Sequence, residues 1–463
     1  MMLLLSLFIL FLIGLFTVNI FWTKENIFNH IGLKACIAFG IGSGITSIIY
    51  FFQTLFYKIS ITNVIVSEIF ILLILAAILF YKKPIFKVSK ETCKVESGKI
   101  LNIFIPTSFY LTAISSFLSF VIFSLKSPHG NWDAWTIWNL HARFIYRLSG
   151  HVVDFFRNCP DWAHPDYPLL IPAAISRFNQ YSGHEQLFSA ILVAGLFAFG
   201  LVFLLVTSIS ALKTKNQGYL AGMVMLSTFV FIQQAATQCA DIPIAFFFLA
   251  TLVLLCLKDK FKNNSLLILA GITAGLSAWC KNEGLLFIIS IFLAHFAVIL
   301  AKNGFKTAAR EVLLIFSGLF PVLILLLYIK FQLFPPNDIF ANRGISDYLS
   351  KITNPARYAE IFSQLLINIK YYFCRLTGIP LLAVYALLAG INIKEEHKTD
   401  INTVLITLCL MLAGYLGIYV ITPHNLYWHL STSLYRLLLQ LWPGFILLYF
   451  MIVKTPEENF KNS

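Results

Sequence analysis

The chain is 463 residues long, 59% hydrophobic and only 12% charged, with a mean hydropathy of +0.80. An ordinary soluble domain carries about twice that share of charge, so the composition excludes a disordered chain, a collagen and a disulfide-stapled mini-protein, and leaves too little polar surface for a cytosolic enzyme. The net charge is +13, but no basic, aromatic-interleaved groove lies outside the apolar runs, so lysine-rich loops at an anionic membrane explain it better than a nucleic-acid partner.

A membrane span needs about 20 apolar residues. Thirteen runs qualify, some of them short, near 3–22, 31–56, 61–81, 103–125, 186–209, 217–235, 242–257, 265–280, 284–301, 312–334, 377–390, 401–421 and 435–453. They predict an all-α polytopic membrane protein. The first run has no basic segment before it and no small-residue cleavage site, so it reads as a span rather than a signal peptide. The chain divides into N-terminal helices with a basic loop (1–100), a core with a long outer loop at 126–185 (101–334), and a second outer loop with the last helices (335–463). The 45 Phe suit lipid-facing surface. The eight Cys show no C-x-x-C or Cys/His spacing and read as small core residues.

Orientation follows from the basic loops. Lys82, Lys83, Lys87, Lys90, Lys94 and Lys99 fill one loop, and Lys258, Lys260 and Lys262 another. With Lys24, Lys213, Lys215, Lys302, Lys306, Lys394, Lys398, Lys454 and Lys461 they share one face if thirteen spans hold, which makes that face cytoplasmic. The arginines run the other way. Eight of nine fall outside: Arg143, Arg147, Arg157, Arg177, Arg343, Arg357, Arg375 and Arg436. Arginine grips phosphate or carboxylate in a fixed fork, so the outer face is where an anionic ligand is expected.

The first outer loop opens with Ser127-Pro128-His129-Gly130-Asn131-Trp132-Asp133 and continues as a helical stretch to about Leu148. Asn139, Arg143 and Arg147 recur every fourth residue and form one polar stripe, as on a helix lying in the membrane interface. Asp133 fits a helix N-cap and a catalytic carboxylate at the membrane boundary, and the two readings are compatible. The segment from Asp161 to Pro172 holds three prolines in eight residues and reads as a stiff loop presenting His164, Asp166 and Tyr167. It could equally be a plain connector, and His164 with Asp166 is a weak metal pair. Asp241 opens a later span, where a cap is the alternative to a site. Lys281-Asn282-Glu283-Gly284 forms an outer turn in which Lys281 and Glu283 could simply pair. Arg436 enters the last apolar run and could snorkel to the headgroups.

Asp133, His164-Pro165-Asp166-Tyr167-Pro168-Leu169, Asp241-Ile242-Pro243 and Lys281-Asn282-Glu283-Gly284, in this order, resemble the GT-C membrane glycosyltransferases. Within them the likeness is to the group containing protein O-mannosyltransferases, lipid A aminoarabinose transferases and rhizobial core transferases. It covers about 125–300, with Trp428-His429-Leu430-Ser431-Thr432-Ser433 and Arg436 as a subgroup feature. Many relatives carry an Asp-Glu pair where this chain has Asp133-Ala134. The resemblance implies many transmembrane helices, interfacial helices in the first outer loop, a sugar donor on a polyprenyl phosphate, and inversion at the anomeric carbon.

The roles expected are as follows. Asp133 is the base, and Asp241 and Asp166 are positioning groups or metal ligands. Lys281, Arg436 and Arg143 contact the donor phosphate. His164, Tyr167 and Glu283 bind substrate. Participation of a divalent metal is left open, with Asp166 and His164 as the candidates. The partners are the bilayer, the lipid-linked sugar and a lipid, glycan or protein acceptor. The expected location is a multi-pass membrane (the inner one in a bacterium), with the site on the extracytoplasmic face and a role in cell-envelope glycans. A polymerase or ligase of lipid-linked glycans is an alternative. A secondary transporter is another, although transporters favour mid-membrane sites and repeated halves, and here the polar residues gather in the loops of one face.

Overall fold

The computed structural model describes residues 1–23, 30–83, 101–335, 344–374 and 378–460. Its helices are α1 (Met2–Phe21), α2 (Ile31–Phe56), α3 (Ile61–Tyr81), α4 (Leu101–Lys126), α5 (Asn139–Arg147), α6 (Val152–Asn158), α7 (Leu170–Ser182), α8 (Leu187–Leu212), α9 (Lys215–Ser227) and α10 (Phe229–Ala236). They continue as α11 (Asp241–Lys260), α12 (Leu266–Cys280), α13 (Glu283–Asn303), α14 (Phe305–Gln332), α15 (Ile345–Ile352), α16 (Pro355–Asn368), α17 (Ile379–Ala389), α18 (Lys398–Ile421), α19 (Leu426–Ile452) and α20 (Pro456–Phe460). The described residues contain no strand, so the all-α expectation holds.

Among the described residues, ten helices are long and apolar enough to cross a membrane: α1 to α4, α8, α11, α13, α14, α18 and α19. The other three predicted runs are built differently. The run near 217–235 is two helices, α9 and α10, meeting at 67°. The runs near 265–280 and 377–390 become α12, of 15 residues, and α17, of 11. At 1.5 Å per residue these reach about 22 Å and about 16 Å, short of a hydrocarbon core of about 30 Å. By length, then, ten or eleven of the thirteen runs suffice for a full crossing.

Helix α11 is the axis of the bundle. Its whole apolar stretch is buried, and α8, α12 and α19 pack around it. Helices α12 and α14 cross at backbone contact. A Cβ on Gly271 would run into Ile315 O, and one on Gly318 into Ile268 O. Small residues permit such approaches between helices in lipid, where packing drives association. This crossing sets the height of Lys281 at the end of α12 against Lys330 near the end of α14.

Alternating helices give the bundle two ends. At one, Lys82 Nζ donates to Ile20 O (3.1 Å), Asn263 Nδ2 to Phe21 O (3.3 Å), and Lys260 Nζ to Ala211 O. The opposite end carries the two long loops. Lys24, Lys87, Lys90, Lys94, Lys99, Lys461, Cys93, Arg343 and Arg375 lie outside the described residues.

The first long loop is more helical than expected. A turn of π-helix at Ala134–Trp138 leads into α5, and α6 follows. A 3-10 turn at Asp161–Ala163 then precedes α7. The stiff loop expected from Asp161 to Pro172 therefore ends early. Helix α7 begins at Leu170 with Pro172 inside its first turn, where a missing N–H costs nothing. The loop is tied down by Gly150 N donating to Thr54 O (2.7 Å) and Ile59 N donating to Ser149 Oγ (3.3 Å).

Helix α7 also carries Arg177, which sequence reading grouped with the anion-facing arginines. It is buried instead. Its Nε and Nη2 donate to the Glu68 carboxylate of α3 (2.5 and 2.7 Å), and Nη1 donates to Ser6 Oγ of α1 (2.7 Å). Tyr181 OH donates to Glu68 Oε2 (2.7 Å). One arginine thus joins α7 to α1 and α3. Breaking a buried pair by removing one partner costs about 3–5 kcal/mol. Glu68→Ala is expected to lower the melting temperature of the detergent-solubilised protein accordingly, and Glu68→Gln to lower it less. An unchanged melting curve for Glu68→Ala would remove this lock from the account.

Candidate functional site

Four chain segments converge at the long-loop end. Asp241 is the first residue of the central helix α11, where the helix dipole favours a carboxylate. Lys281 and Glu283 sit in the turn from α12 to α13. Arg436 and Gln440 lie four residues apart on one face of α19. Asp133 stands directly before the π-turn, a backbone irregularity often found at functional sites.

Arg436 is the hub. Its Nε donates to Asp241 Oδ2 (2.8 Å), Nη2 reaches the same oxygen (2.7 Å), and Nη1 donates to Asp133 Oδ2. Lys281 Nζ donates to Asp241 Oδ1 (3.0 Å) and pairs with Glu283 Oε1 (2.7 Å). Gln440 Nε2 donates to Asp241 Oδ1 (2.7 Å), and Gln440 Oε1 accepts from Tyr415 OH (2.6 Å). Access falls from one side to the other: side-chain exposure is 30% at Asp133, 12% at Arg436 and 1% at Asp241. Burial alone would lower the pKa of the Lys281 ammonium, but Asp241 and then Glu283 lift it above its ordinary value, so it stays charged.

These contacts answer the alternatives left open by the sequence. Asp133 is not a side-chain cap, because Ala134 N donates to Asn131 Oδ1 instead (3.1 Å). Asp241 spends its carboxylate on Arg436, Lys281 and Gln440, and makes no cap bond either. Lys281 and Glu283 do pair, within the larger cluster. Arg436 does not snorkel; it turns inward. Gly130 helps set this geometry. Its φ is +75°, and a Cβ there would lie about 2.5 Å from Thr237 O, so only glycine lets the Asp133 loop approach the turn before α11.

Asp166, His164 and Tyr167 form a neighbouring group. Asp166 Oδ2 accepts from Asn282 Nδ2 (3.0 Å), and Lys330 Nζ donates to Asn282 Oδ1 (2.7 Å) and Asp166 O (3.3 Å). His164 adopts φ +48°, and its ring stacks on Tyr167 (4.9 Å), whose other neighbour is Trp138 (5.5 Å). Burial raises the Tyr167 phenol well above its usual range, so it stays protonated. No three His, Cys, Asp or Glu side chains converge on one point among the described residues. Arg436 also fills the space between the two aspartates.

Arg143 lies apart from the cluster. It pairs with Glu185 (3.5 Å), as does Arg147, and lines a separate cavity. Arg357 caps the end of α18 by donating to Val420 O (2.9 Å) and Tyr419 O (3.0 Å). Of the outer-loop arginines described, Arg436 is the one in the cluster, while Arg143, Arg147, Arg177 and Arg357 have partners elsewhere in the protein. Sequence reading missed Gln440, Asn282, Lys330 and Tyr415. The spacing from Arg436 to Gln440 on one helix face was a usable signal for the first; Lys330 and Tyr415 sit in apolar runs with none.

A lysine at 436 has no fork and cannot hold both aspartates. Arg436→Lys is expected to cost about 1–3 kcal/mol through the under-bonded Asp241, read as a lower melting temperature. A melting temperature equal to that of the parent would contradict the bridging role.

A sequence model of the dolichyl-phosphate-mannose-protein mannosyltransferase family matches residues 166–328, about a third of the chain. The match includes Asp166, Asp241 and Lys281, and not Asp133, Lys330 or Arg436. No curated protein and no solved structure matches the chain. Together with the multi-pass helical fold, the match supports a GT-C superfamily glycosyltransferase embedded in the membrane.

Proposed function

We propose that this protein transfers a sugar from a polyprenyl-phosphate donor to a hydroxyl-bearing acceptor at the extracytoplasmic membrane surface, with inversion at the anomeric carbon. The observation that supports the reading is the Asp133–Arg436–Asp241–Lys281 chain at the long-loop end of the bundle. Mannose, named in the matching family, is the first donor sugar to test.

The chemistry follows from the contacts. Asp133 has one oxygen on Arg436, and its other oxygen has no hydrogen-bond partner among the described residues. That oxygen takes the proton as the acceptor oxygen attacks C1 of the sugar. The bond from C1 to the phosphate oxygen breaks, and polyprenyl phosphate leaves. Arg436 and Lys281 stabilise the charge gathered on that phosphate. Asp241 holds both cations in place, so it is a positioning residue. Asp166 does similar work on Asn282, beside Lys330.

Before the donor binds, three carboxylates (Asp133, Asp241 and Glu283) face two cations. An arriving phosphate competes with Asp133 for Arg436 and with Glu283 for Lys281. Loosening Asp133 from Arg436 frees the base as the donor arrives. In this reading Arg143 does not serve the donor phosphate, since Glu185 holds it elsewhere.

Purified protein in lipid nanodiscs should move radiolabelled mannose, or another sugar from a small panel of polyprenyl phosphates, to an extracted envelope acceptor. The same assay with chelator reads out metal dependence. Asp133→Asn should lower kcat about 10²–10⁴-fold while leaving the melting temperature near that of the parent. Full activity in Asp133→Asn would overturn the assignment of the base. Labelling of single cysteines placed at His129 and at Lys262 from either side of sealed vesicles tests the sidedness: His129 should react from the extracytoplasmic side.

A further inference from the structure

A cavity of about 290 Å³ lies within the first long loop's layer, walled by the π-turn, α5, the turn at Trp162, α7 and the start of α8. The mechanism above makes no use of it. Trp135 and Thr136, which line it, follow Asp133 by two and three residues. Ligand pockets usually begin at about 300 Å³, so the space suits a monosaccharide or disaccharide rather than a large molecule.

The lining has two parts. Trp135 and Trp162 offer broad ring faces and are 51% and 58% exposed. Around them stand Asn139, Asn179, Arg143 and Glu185, planar groups that donate or accept in pairs. Asn139 gives both amide hydrogens away, to Gln238 Oε1 (2.9 Å) and His129 O (3.2 Å). Its Oδ1 is shut off from the cavity surface and has no hydrogen-bond partner among the described residues, so Asn139 shapes the wall. Tryptophans that merely anchor a protein at the headgroups face lipid; these two share a cavity with amides and an ion pair.

A sugar ring has apolar C–H faces and a rim of hydroxyls that both donate and accept. The faces suit the tryptophans, and the rim suits Asn179, Glu185 and Arg143. We infer that this cavity binds a saccharide, and that the acceptor is therefore a glycan, held by Trp135, Trp162 and Glu185 with the hydroxyl to be glycosylated directed towards Asp133. The acceptor role rests on the transferase reading above; saccharide binding does not.

The probe is a panel of glucose, galactose, mannose and N-acetylglucosamine with their disaccharides, followed by saturation-transfer NMR on the full-length protein in nanodiscs. At least one should bind at millimolar concentration. Trp162→Ala and Glu185→Gln should each weaken it about fivefold to tenfold. Tyr427→Ala, an exposed aromatic at the same end, should leave binding unchanged. In transfer assays Trp162→Ala should raise the acceptor KM by a similar factor and leave the donor KM unchanged. Binding of no saccharide, equal binding by Trp162→Ala, or binding of serine- and threonine-bearing peptides in place of sugars overturns the proposal. If saccharides bind as stated but Asp133→Asn still transfers fully, the assignment of the base fails and the saccharide site stands.

Discussion

Everything at the candidate site depends on one guanidinium. Arg436 joins Asp133 to Asp241, residues from the first long loop and from the start of the central helix, and it reaches them from the last long helix. A planar cation with several fixed donors can satisfy two carboxylates at once, which a point charge cannot. Without it Asp241 would be a buried carboxylate short of partners, and Asp133 would have no fixed direction. The surrounding residues extend the same logic: Lys281 and Gln440 complete the hydrogen bonding of Asp241, and Tyr415 fixes Gln440.

The fold serves this arrangement in two ways. The close crossing of α12 and α14 leaves no slack in the height of Lys281 and Lys330. The buried Arg177–Glu68 pair anchors α7 against α1 and α3. Because α7 also walls the saccharide cavity, that lock holds the far side of the loop layer in place. Two arginines of the same sequence class thus do opposite work. One is a structural bolt deep in the bundle; the other joins the two aspartates of the candidate site at its end.

Much of this could be read from the sequence, and the reasons for the rest are physical. Hydropathy located every long helix, because lipid demands an unbroken apolar run. It could not separate a full crossing from the short α12 or the bent α9–α10, since periodicity and length do not encode a kink at Thr228. Within the site, Asp133, Asp241, Lys281 and Arg436 stood out as charges against an apolar background. Gln440 and Tyr415 did not, being uncharged residues in membrane helices. Long-range pairing was invisible as well. The charge of Arg177 pointed to an outer ligand, and only the packed bundle puts Glu68 against it. Arg143 looked like a match for phosphate until its partner, Glu185, was placed beside it.

The enclosure of α11 has a consequence for biosynthesis. Ribosomes deliver the chain from its N-terminus, so the central helix enters the bilayer well before α19 exists. During that interval Asp241 has Lys281 for company but neither Arg436 nor Gln440. The Asp133 loop, made earlier still, has nothing to grip. The candidate site is therefore completed only once α19 is in place, and a partly made chain lacks the Arg436 bridge between Asp133 and Asp241.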